Sequence, residues 1–317
     1  MLSDVRIAVI IPCYNEAATI AAVVRDFRRH LPQADIYVYD NNSSDQTSRV
    51  AEEAGAIVRL ETQQGKGHVV RRMLSDIDAD IYVMVDGDDT YDAAAAPRMV
   101  RMIVEQNLAM VVARRVHEQT EAYRPGHVLG NKFFTGAVER LFGRTFTDIL
   151  SGYRALSRRF VKSFPLASAG FEVETELSVH ALTLKLPVAE IDTAYRMRPE
   201  GSVSKLSTYT DGFRILYMIL QLFRSERPQL FFSLIGCFLL LSSIVLAYPL
   251  LITFLETGLV PRFPTAILAT GTALSGLLSF CNGLILDTVT QGRREAKQLA
   301  YLATPALPVR FTAKHGV

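Results

Sequence analysis

The chain has 317 residues, 49% of them hydrophobic and 21% charged, which is enough for one large or two ordinary domains. Its net charge of +2 gives no support to a nucleic-acid binder that relies on bulk charge. The three cysteines (Cys13, Cys237 and Cys281) are far apart and predict neither a disulfide framework nor a zinc site. This cysteine usage fits a reducing compartment, and the N-terminus reads as a first strand with no visible secretory signal.

The first part of the chain alternates short apolar segments with helical patterns. Strands are predicted at residues 6–12, 35–40, 56–61, 81–86 and 108–115. Helices are predicted at residues 16–30 and 65–77, and a further helix is predicted directly after the polar segment NNSSDQT. Another helix is predicted to begin at Pro97, since proline suits the first turn of a helix. This alternation predicts an α/β domain with a mostly parallel sheet covered by helices on both faces. Ligands of such sheets bind outside the carboxyl ends of the strands.

The residues at three predicted strand ends narrow the class of ligand. They are Pro12, Tyr14, Asn15 and Glu16 after the first strand, Asp40 at the end of the second, and Asp86, Gly87 and Asp88 after the fourth. Neither a G-x-G-x-x-G segment after the first strand nor a G-x-x-x-x-G-K-[ST] segment is present, which disfavours a dinucleotide dehydrogenase and a P-loop NTPase. Paired carboxylates can instead hold a divalent cation that binds phosphates. The alternative is that these acids cap a helix or fill a solvated turn, as we expect of Asp92.

Two long uncharged segments follow near the C-terminus. Leu230–Leu255 and Phe263–Leu286 each exceed the ~20 residues needed to cross a bilayer, so they predict a membrane hairpin rather than buried core helices. Basic residues flank the pair on its outer sides: Arg224, Arg227, Arg293, Arg294 and Lys297. The connecting loop carries only Glu256 and Arg262, so both outer flanks are expected in the cytoplasm, at a bacterial inner membrane.

Apolar residues at helical spacing precede the hairpin and predict an amphipathic helix at the membrane interface. A helix packed on the soluble domain is the alternative. The expected domains are therefore residues 1–207 for the α/β domain, 208–228 for this helix, 229–288 for the hairpin and 289–317 for a cytoplasmic tail.

Four segments together carry a family resemblance. VIIPCYNEAATI, VYDNNSSDQT, GKG and VMVDGDD resemble the successive signatures of family 2 glycosyltransferases with the GT-A fold, in the family order. TDILSGYRALSRR and RMRPEGSVSKL resemble segments of the polyprenyl-phosphate sugar synthases similar to dolichyl-phosphate mannose synthase. That group often carries a small C-terminal membrane hairpin.

The resemblance implies a role for each matching position. Nucleotide binding is implied for Pro12, Tyr14, Glu16, Asp40, Asp86 and Gly87. Asp86 and Asp88 would hold Mg²⁺ or Mn²⁺. The catalytic set would be Asp88, Arg114, Arg198 and Lys205, with the three basic residues meeting phosphates. A solvated surface loop is the alternative for Arg198 and Lys205.

Several positions depart from the family pattern. Thr90 stands where a glutamine commonly joins the metal shell, and Asn41 replaces an acid at the end of the second strand. His127 and Lys132 are candidates for a basic residue that the family usually carries before the GN segment, while lone histidines are more often structural, so His68 and His127 are given no catalytic role. Three alternating acids (Glu172, Glu174 and Glu176) either face the site or belong to a helix end.

The resulting hypothesis is metal-dependent, inverting transfer of a sugar from a UDP- or GDP-linked donor to a polyprenyl phosphate at the cytoplasmic membrane face. A lipid phosphate is already an anion at neutral pH, since its second pKa is about 6, and needs no general base. Transfer to a lipid or glycan hydroxyl is the alternative, with Asp148 as the base. A non-catalytic nucleotide-binding membrane subunit is a further alternative. No nucleic-acid partner is expected, and a homo-oligomer is left open.

Overall fold

The computed structural model describes residues 5–117, 146–165, 173–196, 217 and 220–307. Five positions discussed above therefore lie outside the described residues: His127, Lys132, Glu172, Arg198 and Lys205. Most of the predicted interfacial helix also lies outside them, although residues 220–226 are helical. The chain forms two compact units, residues 1–208 together with 297–317, and residues 209–296.

The first unit is a seven-stranded sheet with helices along the chain between its strands. In chain order its elements are β1 (Ile7–Cys13), α1 (Ile20–His30), β2 (Asp35–Asp40), α2 (Thr47–Glu53), β3 (Ile57–Leu60), α3 (Lys66–Asp76), β4 (Ile81–Met84), α4 (Ala96–Gln106), β5 (Met110–His117), β6 (Arg154–Ser157), α5 (Arg158–Ser163), α6 (Val173–Thr183) and β7 (Val188–Tyr195). The alternation predicted for the first five strands is confirmed. Two boundaries differ usefully, because α1 begins only at Ile20 and β4 ends at Met84, which leaves longer loops at the strand ends.

The sheet has the order β3-β2-β1-β4-β6-β5-β7. The four strands from β3 to β4 are parallel, whereas β6 is antiparallel to both β4 and β5. The chain leaves β1 for β2 on one side, and β4 lies on its other side, so the strand order reverses at β1. This reversal opens a crevice at the carboxyl ends of β1, β2 and β4, where open α/β sheets bind ligands.

Burial of both faces explains why these strands are almost continuously apolar. In β1 six of seven side chains are buried, and all four of β4 are buried. Helix α1 covers one face with Ile20, Val23, Val24 and Phe27, which follow the spacing of a single helical stripe. This face shares one apolar core with β1, β2, β4 and α4. The rigid sheet therefore holds the loops at the strand ends in place.

The second unit contains two long apolar helices, α7 (Pro228–Thr257) and α8 (Phe263–Ala303). Both are long and apolar enough to cross a membrane, and their most apolar windows are largely exposed in the isolated chain. Where they meet, small residues line α8 every seven positions: Ala269, Gly276, Gly283 and Thr290 are its buried residues. Gly236 and Ser243 face them from α7, and Ser243 Oγ donates to Ala269 O at 2.7 Å. Small side chains of this kind let two helices approach closely in a bilayer.

The end of α8 belongs to the first unit. From Lys297 to Leu307 the chain packs with the rest of the first unit. The Arg159 guanidinium lies 4.4 Å from the centroid of the Tyr301 ring, and its Nε donates to Tyr301 O at 3.3 Å. These contacts give the C-terminal segment a defined place on α5.

Candidate active site

The carboxyl ends of β1 and β2 are joined directly. Cys13 is the register partner of Asp40, and the next residue, Asn41, donates from its N–H to Cys13 O at 2.8 Å. On the other side of β1, Val85 N–H donates to Ile10 O at 3.2 Å. The segments that follow these three strands therefore start within one short edge of the sheet, as the sequence predicts.

The acidic turn after β4 is fixed by small contacts. A Cβ on Gly87 would lie 2.7 Å from Cys13 Sγ, so only glycine fits there. Thr19 Oγ1, at the start of α1, donates to Gly87 O at 2.6 Å. Asp89 has a φ of 58°, a left-handed conformation that Asp tolerates better than most residues. The turn thus has a defined conformation, which its contacts with Thr19 and Cys13 stabilise.

The four acids of this segment have different surroundings. Asp88 is buried, and its Oδ1 accepts from Thr90 Oγ1 at 2.6 Å. Thr90, where a glutamine was expected, therefore orients the carboxylate of Asp88. Asp92 Oδ1 accepts from Ala94 N–H at 3.0 Å, so its predicted capping role is confirmed. Partial burial raises the pKa of Asp89, with neighbouring carboxylates adding to the effect.

Asp86 lies in a cluster with two residues to which the sequence assigns no definite role. Lys66 Nζ donates to Asp86 Oδ1 at 2.6 Å and to Glu174 Oε1 at 2.5 Å. Burial lowers the pKa of the Lys66 ammonium, but Asp86 and Glu174 outweigh it, and the pKa is raised. A Cβ on Gly152 would lie 2.3 Å from Asp86 Oδ2, so this glycine gives Asp86 its room. In the sequence, these three residues lie in segments that could have indicated the cluster: Lys66 in GKG, Gly152 in SGY and Glu174 in GFEVETEL.

The predicted nucleotide loop follows β1 and is tied to the loop after β2. Asn15, with a φ of 54°, accepts on its Oδ1 from Ser44 N–H at 2.8 Å, and its own N–H donates to Ser43 Oγ at 2.8 Å. Glu16 N–H donates to Thr47 Oγ1 at 2.8 Å. These bonds leave Tyr14 36% exposed at the crevice and Pro12 half-buried beside it. An exposed ring beside a sheet edge can stack on a flat ligand.

Asp40 and Asn41 hold neighbouring loops at the end of β2. Asp40 is buried and accepts from Ser43 N–H at 2.9 Å and from Ser48 Oγ at 2.5 Å. Asn41 Nδ2 donates to Glu61 O at 3.1 Å and to Gln63 O at 2.7 Å, and its Oδ1 accepts from Gly65 N–H at 2.7 Å. An aspartate could not make the two donor bonds. Asn41, which departs from the family pattern, therefore holds the loop that leads to Lys66 through three hydrogen bonds.

Two arginines within β5 have different partners, and because the strand continues to His117, the predicted position of Arg114 at the end of the fifth strand is wrong. Arg114, the predicted phosphate ligand, forms a bidentate pair with Asp192 at 2.6 and 2.7 Å and is exposed. Arg115, to which the sequence analysis gives no role, pairs with buried Asp148 through two bonds of 2.8 Å. Burial raises the pKa of Asp148, but Arg115 outweighs burial and lowers it. The Arg115 guanidinium also lies 5.5 Å from the ring of Tyr195.

A divalent cation fits the chemistry of the acidic turn only with help from a ligand. Among the residues that the structure describes, no group of three His, Cys, Asp or Glu side chains is arranged to hold a metal. Asp86 and Asp88 offer two carboxylates on one glycine-shaped turn. Mg²⁺ is commonly held by one or two carboxylates together with substrate phosphates and water. The donor set thus suits a metal that arrives with a diphosphate.

Comparison with known proteins identifies the family. The model of the glycosyl transferase family 2 matches residues 8–164, which include every strand end described above. An archaeal relative, glycosyltransferase AglJ of Haloferax volcanii, is 34% identical over 231 residues, 73% of this chain and 76% of AglJ. The chain is a family 2 glycosyltransferase.

Other relatives extend this comparison. An uncharacterized protein of Shigella flexneri is 53% identical over 155 residues, 49% of this glycosyltransferase and 95% of that protein. A dolichyl-phosphate hexose transferase of Haloferax volcanii is 26% identical over 224 residues, 71% of this chain and 96% of its own length.

The fold is that of the GT-A glycosyltransferases. A solved structure of glucosyl-3-phosphoglycerate synthase from Mycobacterium tuberculosis, in complex with Mn²⁺, UDP-glucose and phosphoglyceric acid, superposes with a TM-score of 0.55. It is 23% identical and covers 69% of this chain and 80% of its own. At this identity the match concerns the fold. The enzyme class follows from the family, which sets aside the non-catalytic subunit.

Proposed function

We propose that this glycosyltransferase moves a sugar from a nucleoside diphosphate to the phosphate of a polyprenyl lipid. The donor would lie in the crevice at the ends of β1, β2 and β4, with Pro12, Tyr14, Glu16 and Asp40 around the nucleotide. The relative named dolichyl-phosphate hexose transferase supports a lipid phosphate as the acceptor.

The donor half of the reaction rests on the acidic turn. Asp86 and Asp88 would hold Mg²⁺ or Mn²⁺, with Gly87 allowing the diphosphate to approach the backbone. The metal would neutralise charge on the leaving diphosphate. Thr90 orients Asp88 through the 2.6 Å bond to its Oδ1. A single displacement at the anomeric carbon would invert its configuration.

The state of Asp148 is the observation that carries the choice of acceptor. A hydroxyl acceptor needs a general base, ideally with a pKa near the working pH. Asp148 is buried, held by both nitrogens of a bidentate Arg115 fork, and has a lowered pKa. A carboxylate in this state is a poor base. A phosphate acceptor requires no base, only cations and positioning.

The basic residues predicted to meet the acceptor remain part of the proposal. Arg114 is exposed in the second half of β5, where exchange of Asp192 for a phosphate would keep a bidentate partner. Arg198 and Lys205, which lie outside the described residues, would add charge from the segment before the hairpin. Helices α7 and α8 would hold the enzyme at the membrane that contains the lipid.

A matched pair of acceptors tests the proposal. Purified enzyme with Mg²⁺ or Mn²⁺ is given radiolabelled UDP- or GDP-sugars together with either a polyprenyl phosphate or the corresponding polyprenol. We expect labelled lipid with the phosphate, whereas the polyprenol should give none because Asp148, the candidate base, is held by Arg115 and has a lowered pKa. Asp88→Asn should lose the product, and a metal chelator should do the same.

Two outcomes would contradict the proposal. Equal labelling of the polyprenol would favour transfer to a hydroxyl and restore a base role at the site. Lipid product that persists in Asp88→Asn with the metal chelated would rule out the metal-dependent mechanism. A product whose anomeric configuration matches that of the donor would exclude single displacement.

A further inference from the structure

Lys66 lies where a cation is needed between two carboxylates. Its Nζ is 2.6 Å from Asp86 Oδ1 and 2.5 Å from Glu174 Oε1. The side chain of Lys66 is 12% exposed and that of Glu174 is 7% exposed, so this pair is largely removed from water. Asp86, at 29%, is the more accessible of the two acids. One ammonium thus lies between the carboxylate that we propose to bind the metal and a more deeply buried one.

The three charges do not balance among themselves. The three groups carry one positive and two negative charges, and the buried Arg154 guanidinium, which interacts electrostatically with Glu174, adds a second positive charge nearby. If Asp86 turned to a metal, Lys66 and Glu174 would remain as a neutral pair. Without Glu174, the same step would leave a buried ammonium without a partner, and breaking a buried pair in this way is costly.

We propose, building on the function above, that Glu174 is a positioning residue that lets Asp86 exchange the Lys66 ammonium for the donor-bound metal. Lys66 holds the Asp86 carboxylate in place before the metal arrives. Glu174 keeps Lys66 paired after Asp86 is released. Glu174 acts through Lys66 and does not itself touch the metal.

A direct role for Glu174 as a metal ligand is the rival explanation. It would compensate for the missing glutamine at Thr90. Both explanations predict weaker metal binding in Glu174→Gln, since that variant loses a carboxylate beside the site. They differ once Lys66 is removed. A ligand is still missed when Lys66 is absent, whereas a partner for Lys66 is then no longer needed.

The test is a double-mutant cycle on Mn²⁺ affinity. Binding of Mn²⁺ in the presence of UDP, and separately of GDP, is followed by electron paramagnetic resonance of the free ion in the purified full-length enzyme. We expect Glu174→Gln to weaken Mn²⁺ binding about tenfold, as close buried charges are strongly coupled. Lys66→Met/Glu174→Gln should bind Mn²⁺ at least as tightly as the unmodified enzyme. Glu105→Gln, which removes one exposed carboxylate from α4, is the control and should leave the affinity unchanged.

The double variant decides between the two explanations. If it binds Mn²⁺ as weakly as Glu174→Gln, Glu174 is a ligand and the inference is wrong. An unchanged affinity in Glu174→Gln would contradict it as well. If a single variant does not fold, the double variant and the unmodified enzyme still give the decisive comparison, because the double variant removes a neutral pair. Absence of transfer to polyprenyl phosphate, with the cycle as expected, would overturn the proposed function alone.

Discussion

Asn41 shows how a single side chain can position the loop that leads to Lys66. Its amide makes two donor bonds to carbonyls of residues 61 and 63 and accepts from Gly65 N–H. We expect Asn41→Asp, which keeps the shape, to set a carboxylate against both carbonyls. An unsatisfied buried polar group costs about 1–3 kcal/mol.

The change should therefore lower thermal stability and displace Lys66, with loss of transfer activity. Thermal unfolding and the lipid-product assay measure the two effects. Asn42→Asp is the matched control, because Asn42 is exposed and its φ of 63° suits Asp equally well. Equal losses of stability and activity at both positions would show that the three hydrogen bonds of Asn41 have no special importance.

Asp148 is predicted to contribute stability through Arg115. Asp148→Asn leaves the guanidinium without its charged partner, and breaking such a pair costs about 3 kcal/mol. The pKa of Asp148 lies below its ordinary value of 3.8 in the folded protein, so this contribution is fully present above pH 3.8. It is lost as the pH falls through the lowered value. The difference in unfolding temperature between the two proteins should thus be large at pH 7 and shrink below pH 3.8; a difference independent of pH would contradict the ion-pair explanation.

At the scale of elements, the contact between α7 and α8 depends on the small residues of α8. A Cβ at Gly276 would lie 3.0 Å from Leu240 Cγ and 3.1 Å from Gly236 O, whereas nothing lies within 4 Å of one at Gly271. Gly276→Leu should therefore force the helices apart and lower the thermal stability of the detergent-solubilised protein, by about 1–3 kcal/mol. Gly271→Leu, the same change on the same helix, should be neutral or slightly stabilising. Similar losses for both would exclude close packing at this contact.

The elements also show what the sequence could and could not predict. The alternation of short apolar segments with helical patterns predicts β1 to β5 to within about two residues. The pattern is clearest for β1 and β4, because strands buried on both faces are apolar throughout. The acidic turn after β4 and the loop after β1 can be recognised in the sequence as readily as the strands. The contact of Lys66 with Glu174 is not, since it joins positions 108 residues apart and depends on how α3 and α6 pack. The difference between Arg114 and Arg115 depends in the same way on strand partners that no local pattern encodes.

At the scale of the whole molecule, the distribution of charge around α7 and α8 predicts an orientation. Five basic residues flank the two helices on their outer sides, while Arg262 is the single basic residue of the loop between them. Basic loops remain in the cytoplasm, so residues 258–262 should face the other side of the membrane. The catalytic domain would then share the cytoplasm with sugar nucleotides.

Labelling with a membrane-impermeant maleimide tests this orientation. The three native cysteines are first replaced by serine, and one cysteine is introduced at Leu259 in the loop or at Glu295 on the basic flank, both of which are exposed. In cells whose outer membrane has been removed, Leu259→Cys should react without further treatment. Glu295→Cys should react only after the membrane that contains the two helices has been permeabilised. The reverse pattern would place the catalytic domain outside the cytoplasm. Reaction of both cysteines in intact cells would contradict a spanning hairpin, because two helices that lie on one surface leave both ends accessible from the same side.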